Sequence, residues 1–281
     1  MKKVFAYMFF CFGLLQAQAN RIVTIEGFSS PQAIAMTNLS AFVSNIGSDS
    51  SLAKNGNGFI SKLDKTGKII DLQFIGNLNI PMGIVTLDNI LYVVDMNMLK
   101  GFNLSTKKQV LNLPISGTNT LSDIAIKDSN TLLVADRDTG LILLIDLKKK
   151  SYYTFVTIES SLGTLQNIAI FKDYLYASAF DKQHSKSHLL RINLETKEVS
   201  VVYEFSEKIG GIALTENGGI ILAGLGQNND GKLYKISQNG RLYTIDLDED
   251  LQYPTKFWFD TQSIWIPDSL SNEVQKITIG Q

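Results

Sequence analysis

The sequence predicts an all-β protein, a six-bladed β-propeller with four-stranded blades, and three observations carry that prediction. A short phrase recurs six times, each recurrence opens a run of short strand-like segments, and the two chain ends complete one another. The phrase reads Pro31-Gln-Ala-Ile34, Pro81-Met-Gly-Ile84, Leu121-Ser-Asp-Ile124, Leu165-Gln-Asn-Ile168, Ile209-Gly-Gly-Ile212 and Pro254-Thr-Lys-Phe257. Its spacing of about 44 residues is that of one propeller blade per repeat.

The phrase opens the first strand of each unit. A second apolar segment follows and ends at Asn45, Asp95, Asp136, Ala179, Gly224 or Asp268. A third follows a loop: GFISKLD, KGFNL, GLILLIDL, HLLRINL, KLYKIS and VQKITI. The first five units add a fourth, KIIDLQFI, KQVLNL, SYYTFVTI, EVSVVYEF and RLYTIDL, after a polar turn. All are short and rich in β-branched and aromatic residues, and no segment sustains a helical period. The sixth unit ends without its fourth strand. Arg21–Ile25, otherwise unassigned, supplies it and closes the ring, which hides two sheet edges.

Residues 1–19 read as a secretory signal peptide: Lys2 and Lys3, an apolar run from Val4 to Leu15, then Ala17-Gln18-Ala19 before the cleavage point. The run is too short for a membrane anchor, and bulky Phe10 before Cys11 argues against lipid attachment. The propeller therefore spans residues 20–281, in the bacterial periplasm or secreted beyond it. Losing Lys2 and Lys3 takes the 26 basic residues to 24 against 27 acidic ones, a formal charge of -3, and removes the one cysteine. A large apolar core must hold such a disulfide-free chain together. The mild acidity offers no footprint for nucleic acid or an anionic membrane.

The residue after each phrase is Ala35, Val85, Ala125, Ala169, Ala213 and then Trp258. Small side chains suit strands crowded near the axis. Trp258 breaks the series and reads as a core filler beside a neighbouring blade, or as the aromatic wall of a central cavity.

The phrases P-x-G-I, LYVVD and LSDIA give residues 20–281 a resemblance to the six-bladed NHL-like and senescence marker protein/gluconolactonase-like superfamily, related to strictosidine synthase-like proteins. The resemblance implies that lactonase members hold a divalent metal at the top of the tunnel with Glu, Asn and Asp ligands. Carried over by position, those places fall on Ser29, Ser122, Gln166 and Gly210, none a carboxylate. Glu26, Asp123 and Asn167 lie close by in sequence and form the candidate metal set, for Ca, Mg or Zn on the axis.

The strand-ending column, Asn45, Asp95, Asp136 and Asp268, reads as a set of turn caps or as a polar rim on the loop face. Three loops after the second strands read as long: Ile46–Asn57, Phe180–Ser187 and Leu225–Gly231. Such loops are where binding residues gather. Lys54, Lys100, Arg137 and Lys256 could attract an acidic ligand. His184 and His188, with Asp181, lie around one loop but lack two further metal ligands. Neither a nucleophile elbow nor a surviving cysteine supports acyl-enzyme hydrolysis.

GQNNDGKL (residues 226–233) nearly spells a phosphate-binding loop. That motif needs a helix after the lysine and a hydroxyl for Mg²⁺, whereas here a strand follows and Leu233 takes the hydroxyl's place. The stretch reads as a loop of the fifth blade, and ATP is not expected as a ligand.

The sequence thus predicts an exported propeller that binds a protein, peptide or small molecule through its loop face, with Asn45, Asp95, Asp136, Arg137, Asp181, Asp268 and Trp258 as candidate contacts. The alternative is a metal-dependent lactonase or hydrolase using Glu26, Asp123 and Asn167.

Overall fold

The computed structural model describes residues 21–47, 55–226, 230–245, 247, 251–259 and 263–278. The signal-peptide reading, Lys54, and the Asn228-Asn229 part of the GQNNDGKL turn lie outside the described residues.

Six four-stranded antiparallel sheets form the molecule. Blade 1 contains β2 (Pro31–Met36), β3 (Ser40–Asn45), β4 (Gly58–Asp64) and β5 (Ile69–Leu78), innermost to outermost. Blade 2 contains β6 (Pro81–Leu87), β7 (Ile90–Asp95), β8 (Met98–Asn103) and β9 (Gln109–Pro114). Blade 3 contains β10 (Leu121–Asp128), β11 (Thr131–Asp136), β12 (Leu141–Asp146) and β13 (Ser151–Thr157). Blade 4 follows a short 3₁₀ turn (Ser160–Leu162) with β14 (Thr164–Phe171), β15 (Tyr174–Asp181), β16 (Lys186–Asn193) and β17 (Val199–Phe205). Blade 5 contains β18 (Ile209–Leu214), β19 (Ile220–Gly224), β20 (Lys232–Ile236) and β21 (Leu242–Ile245). Blade 6 contains β22 (Trp258–Phe259), β23 (Ser263–Asp268) and β24 (Glu273–Thr278), completed on its outside by β1 (Arg21–Glu26).

The closure forms as the sequence predicts, with Arg21–Glu26 antiparallel to Glu273–Thr278. Lys232 opens a strand, so no helix follows the GQNNDGKL lysine. The loop after the second strand of blade 4 is shorter than expected. β15 and β16 extend toward each other until only residues 182–185 connect them, with Ser185 at φ 52°. The inner strand of blade 6 is reduced to Trp258–Phe259, and the preceding phrase is tied instead by isolated bridges of Pro254 to Asp268 and of Lys256 to Ala33 in blade 1.

Second strands are buried on both faces because each blade packs against two neighbours. In β7, Leu91 and Val93 enter the seam with blade 1, while Tyr92 and Val94 enter the seam with blade 3. β11 repeats the alternation with Leu132 and Val134 on one side, Leu133 and Ala135 on the other. Period-two alternation sends successive residues to opposite faces, so a strand apolar throughout fits only between two seams. Each seam has its own cluster, including the one where the ring closes, which joins Ile25, Trp265 and Val274 to Ile34, Val43 and Leu63. Among the described residues no helix is long and apolar enough to cross a membrane.

Candidate functional site: the axial mouth

The recurring phrase does more than begin strands. In blades 1, 3, 4 and 5 the pairing between first and second strands slips by one residue between the first and third positions of the phrase, and in blade 2 between the first and fourth. A bulge of this kind re-aims side chains. Without it, the second and third positions would point to opposite faces. With it, the second positions of all six blades, Gln32, Met82, Ser122, Gln166, Gly210 and Thr255, line one axial cavity of about 210 Å³.

The third positions form the cavity's underlying layer: Ala33, Gly83, Asp123, Asn167, Gly211 and Lys256. Three are small and one acid faces one base. Blades 3 and 6 stand opposite each other in a six-bladed ring, and Lys256 spans the axis to Asp123, with Nζ 2.5 Å from Oδ1 and 2.8 Å from the Ile124 carbonyl. Asp123 is fully buried. Its second oxygen accepts the Ile168 N–H of blade 4 at 2.8 Å, and its first also accepts the Ile124 N–H. Burial pushes the Asp123 carboxyl up, against the pull of Lys256 and these two amides. Gly83 is required here, because any Cβ would collide with Asp123 Oδ1 and the Asp123 backbone. One strut therefore crosses the axis and links three blades.

Asn167 does face the cavity, its amide donating to the Gly210 carbonyl at 2.8 Å. Glu26 does not: it ends the outermost strand of blade 6, paired with Glu273 and exposed. The candidate metal set of Glu26, Asp123 and Asn167 is thus not brought together, and the Lys256 ammonium already occupies one face of the Asp123 carboxylate. Among the described residues no three His, Cys, Asp or Glu side chains stand close enough to hold a metal ion. The donor set does not fit the lactonase cation.

Trp258 stands away from this cavity. It is half-buried in the seam between blades 6 and 1, opposite Trp265 across the sheet, with Lys65 Nζ 5.3 Å from its ring.

The strand-ending column is buried, and its members act as clamps. Asp136 and Asp268 cap the turns that follow them, receiving the N–H groups of Asp138 and Thr139, and of Leu270 and Ser271. Asn45 and Asp95 reach backward instead, to the loop that enters their own blade: Asn45 Oδ1 accepts the Ser29 N–H, and Asp95 accepts those of Asn79 and Ile80. Asp136 and Asp268 do both: Asp136 also accepts the Thr118 hydroxyl of its entry loop at 2.6 Å, and Asp268 the N–H groups of Gln252 and Tyr253. Asp95 is also paired with Lys100 at 2.6 Å, which removes Lys100 from the candidate ligand-binding cations. Blade 5 has Gly224 at this place and reverses the arrangement. Glu207 of the entry loop fills the space a Cβ would take, accepting the Gly226 N–H and the Tyr234 hydroxyl. In blade 4, with Ala179, His188 Nδ1 holds the Leu162 carbonyl at 2.9 Å.

Arg137 follows the blade 3 clamp and borders two spaces. One is the axial cavity. The other is a groove of about 660 Å³ between the loops of blades 3 and 4, bordered by Thr139, Ser160, Phe180, Asp181, Gln183 and His184. Asp181 there accepts the Gln183 N–H and contacts His184 Nδ1 at 2.5 Å, so the Asp181 carboxyl is held below its ordinary range, His184 being the largest cause. Two more mouth residues escaped the sequence reading, Lys208 and Tyr253. Lys208 Nζ donates to the Tyr253 hydroxyl at 3.0 Å. Both stand directly before the phrase in their blades, at the position of Thr120 in blade 3. Aligning that one extra column would have found them.

The fold and this mouth define the class: a six-bladed β-propeller whose repeat phrase builds an axial cavity. Within that class the chain belongs to a family described as a repeat of unknown function, DUF6923, whose model matches residues 82–245. The match runs from the second residue of β6 to the end of β21, blades 2 to 5 apart from Pro81. No curated protein sequence matches the chain. Among solved structures, the chain is similar to a protein of unknown function from Bacteroides thetaiotaomicron (TM-score 0.73, 12% identity, covering 92% of this chain and 76% of that one). It is also similar to virginiamycin B lyase from Staphylococcus aureus (TM-score 0.62, 15% identity, 92% and 99%), and to a chain of a nidogen/laminin complex (TM-score 0.66, 13% identity, 89% of each). At such identities these likenesses establish the fold alone. The likeness to NHL-like proteins holds at the level of the six-bladed fold.

Proposed function

We propose that this protein is an exported, periplasmic or secreted, binding module that receives a peptide, protein or small molecule at its loop face. One observation carries the reading. All six repeats aim the same phrase position into a single cavity, and Arg137 joins that cavity to the larger groove between blades 3 and 4. Concave sites with a few convergent polar groups are where propellers and other rigid scaffolds take ligands. The export part rests on residues 1–19.

Titration calorimetry of the chain from Asn20 onward, against a panel of envelope peptides, oligosaccharides and small acids, tests the reading. At least one compound is expected to bind, about tenfold more weakly to Gln166→Ala and equally well to Tyr153→Ala on the outer surface. A panel without a binder, or a binder indifferent to Gln166, would count against it. Protein recovered from the envelope is expected to begin at Asn20; recovery with Met1 intact would contradict export.

A further inference from the structure

We propose that the axial mouth binds an oxyanion, the carboxylate or phosphate group of a small ligand, between Arg137, Lys208 and the Tyr253 hydroxyl. The inference rests on the loop-face reading above and gives that site its ligand chemistry. Three cationic side chains line the cavity, Arg137, Lys208 and Lys256, and no Asp or Glu stands among the described residues lining it. Lys256 is neutralised from below by Asp123. Arg137 and Lys208 have no carboxylate partner among the described residues, and Arg137 Nε is buried without a hydrogen-bond acceptor.

The nearby acids are committed elsewhere. Asp138 accepts the Asn119 N–H, Glu207 holds Gly226 and Tyr234, and Asp181 holds His184. A guanidinium taken largely out of water costs free energy, and burial depresses the basicity of Arg137, with the nearby Tyr253 and Asp138 only partly opposing it and no carboxylate in direct ion-pair contact. An arriving oxyanion removes that cost. The fork of Arg137 offers two parallel N–H donors. Lys208 adds a point charge, held over the Tyr253 ring at 5.5 Å and the Phe180 ring at 6.0 Å. Because the Tyr253 hydroxyl accepts from Lys208, its own proton remains free to donate to the anion. The cavity holds one small acidic group, and the rest of a longer ligand would lie past Arg137 in the groove between blades 3 and 4.

The test is calorimetric titration of the chain from Asn20 onward with inorganic phosphate, sulfate and succinate at fixed ionic strength, with chloride as control. At least one of the three is expected to bind, and chloride is not. Arg137→Gln and Lys208→Gln should each weaken binding about tenfold, while Lys149→Gln, an exposed lysine of blade 3, should change nothing. Phosphate and sulfate binding without succinate would assign a phosphate-type ligand, and the reverse a carboxylate. No binding by any of the three, or binding retained in the Arg137→Gln/Lys208→Gln double variant, would overturn the proposal. Since Arg137→Gln could perturb its loop, Lys208→Gln provides an independent reading, and circular dichroism melts verify both folds. A panel ligand that depends on Gln166 but ignores both cations and is not displaced by phosphate would sink the oxyanion assignment while leaving the loop-face reading intact.

Discussion

A chain that begins at Gly27, lacking β1, is expected to lose most of the stability of the propeller or not to fold as a monomer. β1 supplies the whole outer edge of blade 6 through six consecutive residue pairs with β24. It also seats Ile25, 8% exposed, in the seam that closes the ring. Removing one buried isoleucine side chain costs about 2–5 kcal/mol, and small and medium domains have only about 5–15 kcal/mol to lose. The bare β24 edge would further invite pairing between chains. Ile25→Ala separates the packing from the pairing: its denaturation midpoint should fall by an amount within that side-chain range, with an unchanged dependence on denaturant. A chain from Gly27 with the same midpoint as a chain from Asn20 would show that the ring does not depend on this closure.

Asp123→Ala is expected to destabilise the protein by about 3–5 kcal/mol, the cost of leaving one member of a buried ion pair alone. Asp123 is fully buried, and the Lys256 side chain is only 14% exposed. The substitution also orphans the N–H groups of Ile124 and Ile168. Asp123→Asn keeps an acceptor while deleting the charge, so it should lie between Ala and the native protein. The pairing itself shows in a double-mutant cycle: Lys256→Met should cost less in an Asp123→Leu background than in the native chain. If Asp123→Ala shifted the midpoint no more than Glu198→Ala on the surface, the strut would have no structural role.

The blades were legible because packing imposes a repeat. Every second strand must be apolar on both faces, and every blade needs turns at the same intervals, so the period survives wherever the seams survive. The closure was legible because the sixth unit shows three strand-like segments and Arg21–Ile25 is a strand-like segment left over, and the two do pair. The site was harder to read. Strict alternation would have put only one of Ser122 and Asp123 toward the axis, and the bulge that presents both leaves no compositional mark. The Asp123–Lys256 strut joins residues 133 apart, visible only when the third positions of the phrase are aligned as a ring. Glu26 was misplaced for the opposite reason: it is near the phrase in sequence, but its strand belongs to the outer edge of the previous blade. The polar residues at the ends of the second strands look like one column, yet Asn45 and Asp95 clamp entry loops alone, while Asp136 and Asp268 also cap the turns ahead. Residue type recorded the column, and loop geometry decided the partners.

The repeat phrase builds a mouth on the axis lined by Arg137 and Lys208, the proposed seat of an acidic group. Diffraction from crystals of the chain from Asn20 onward, equilibrated with whichever of phosphate or succinate binds in solution, tests it most directly. The predicted result is density for the anion in the axial cavity, with oxygen atoms about 2.7–3.2 Å from Arg137 and Lys208 nitrogens. An axial cavity holding only solvent, with the Arg137 guanidinium bonded to a carboxylate of the protein itself, would contradict it.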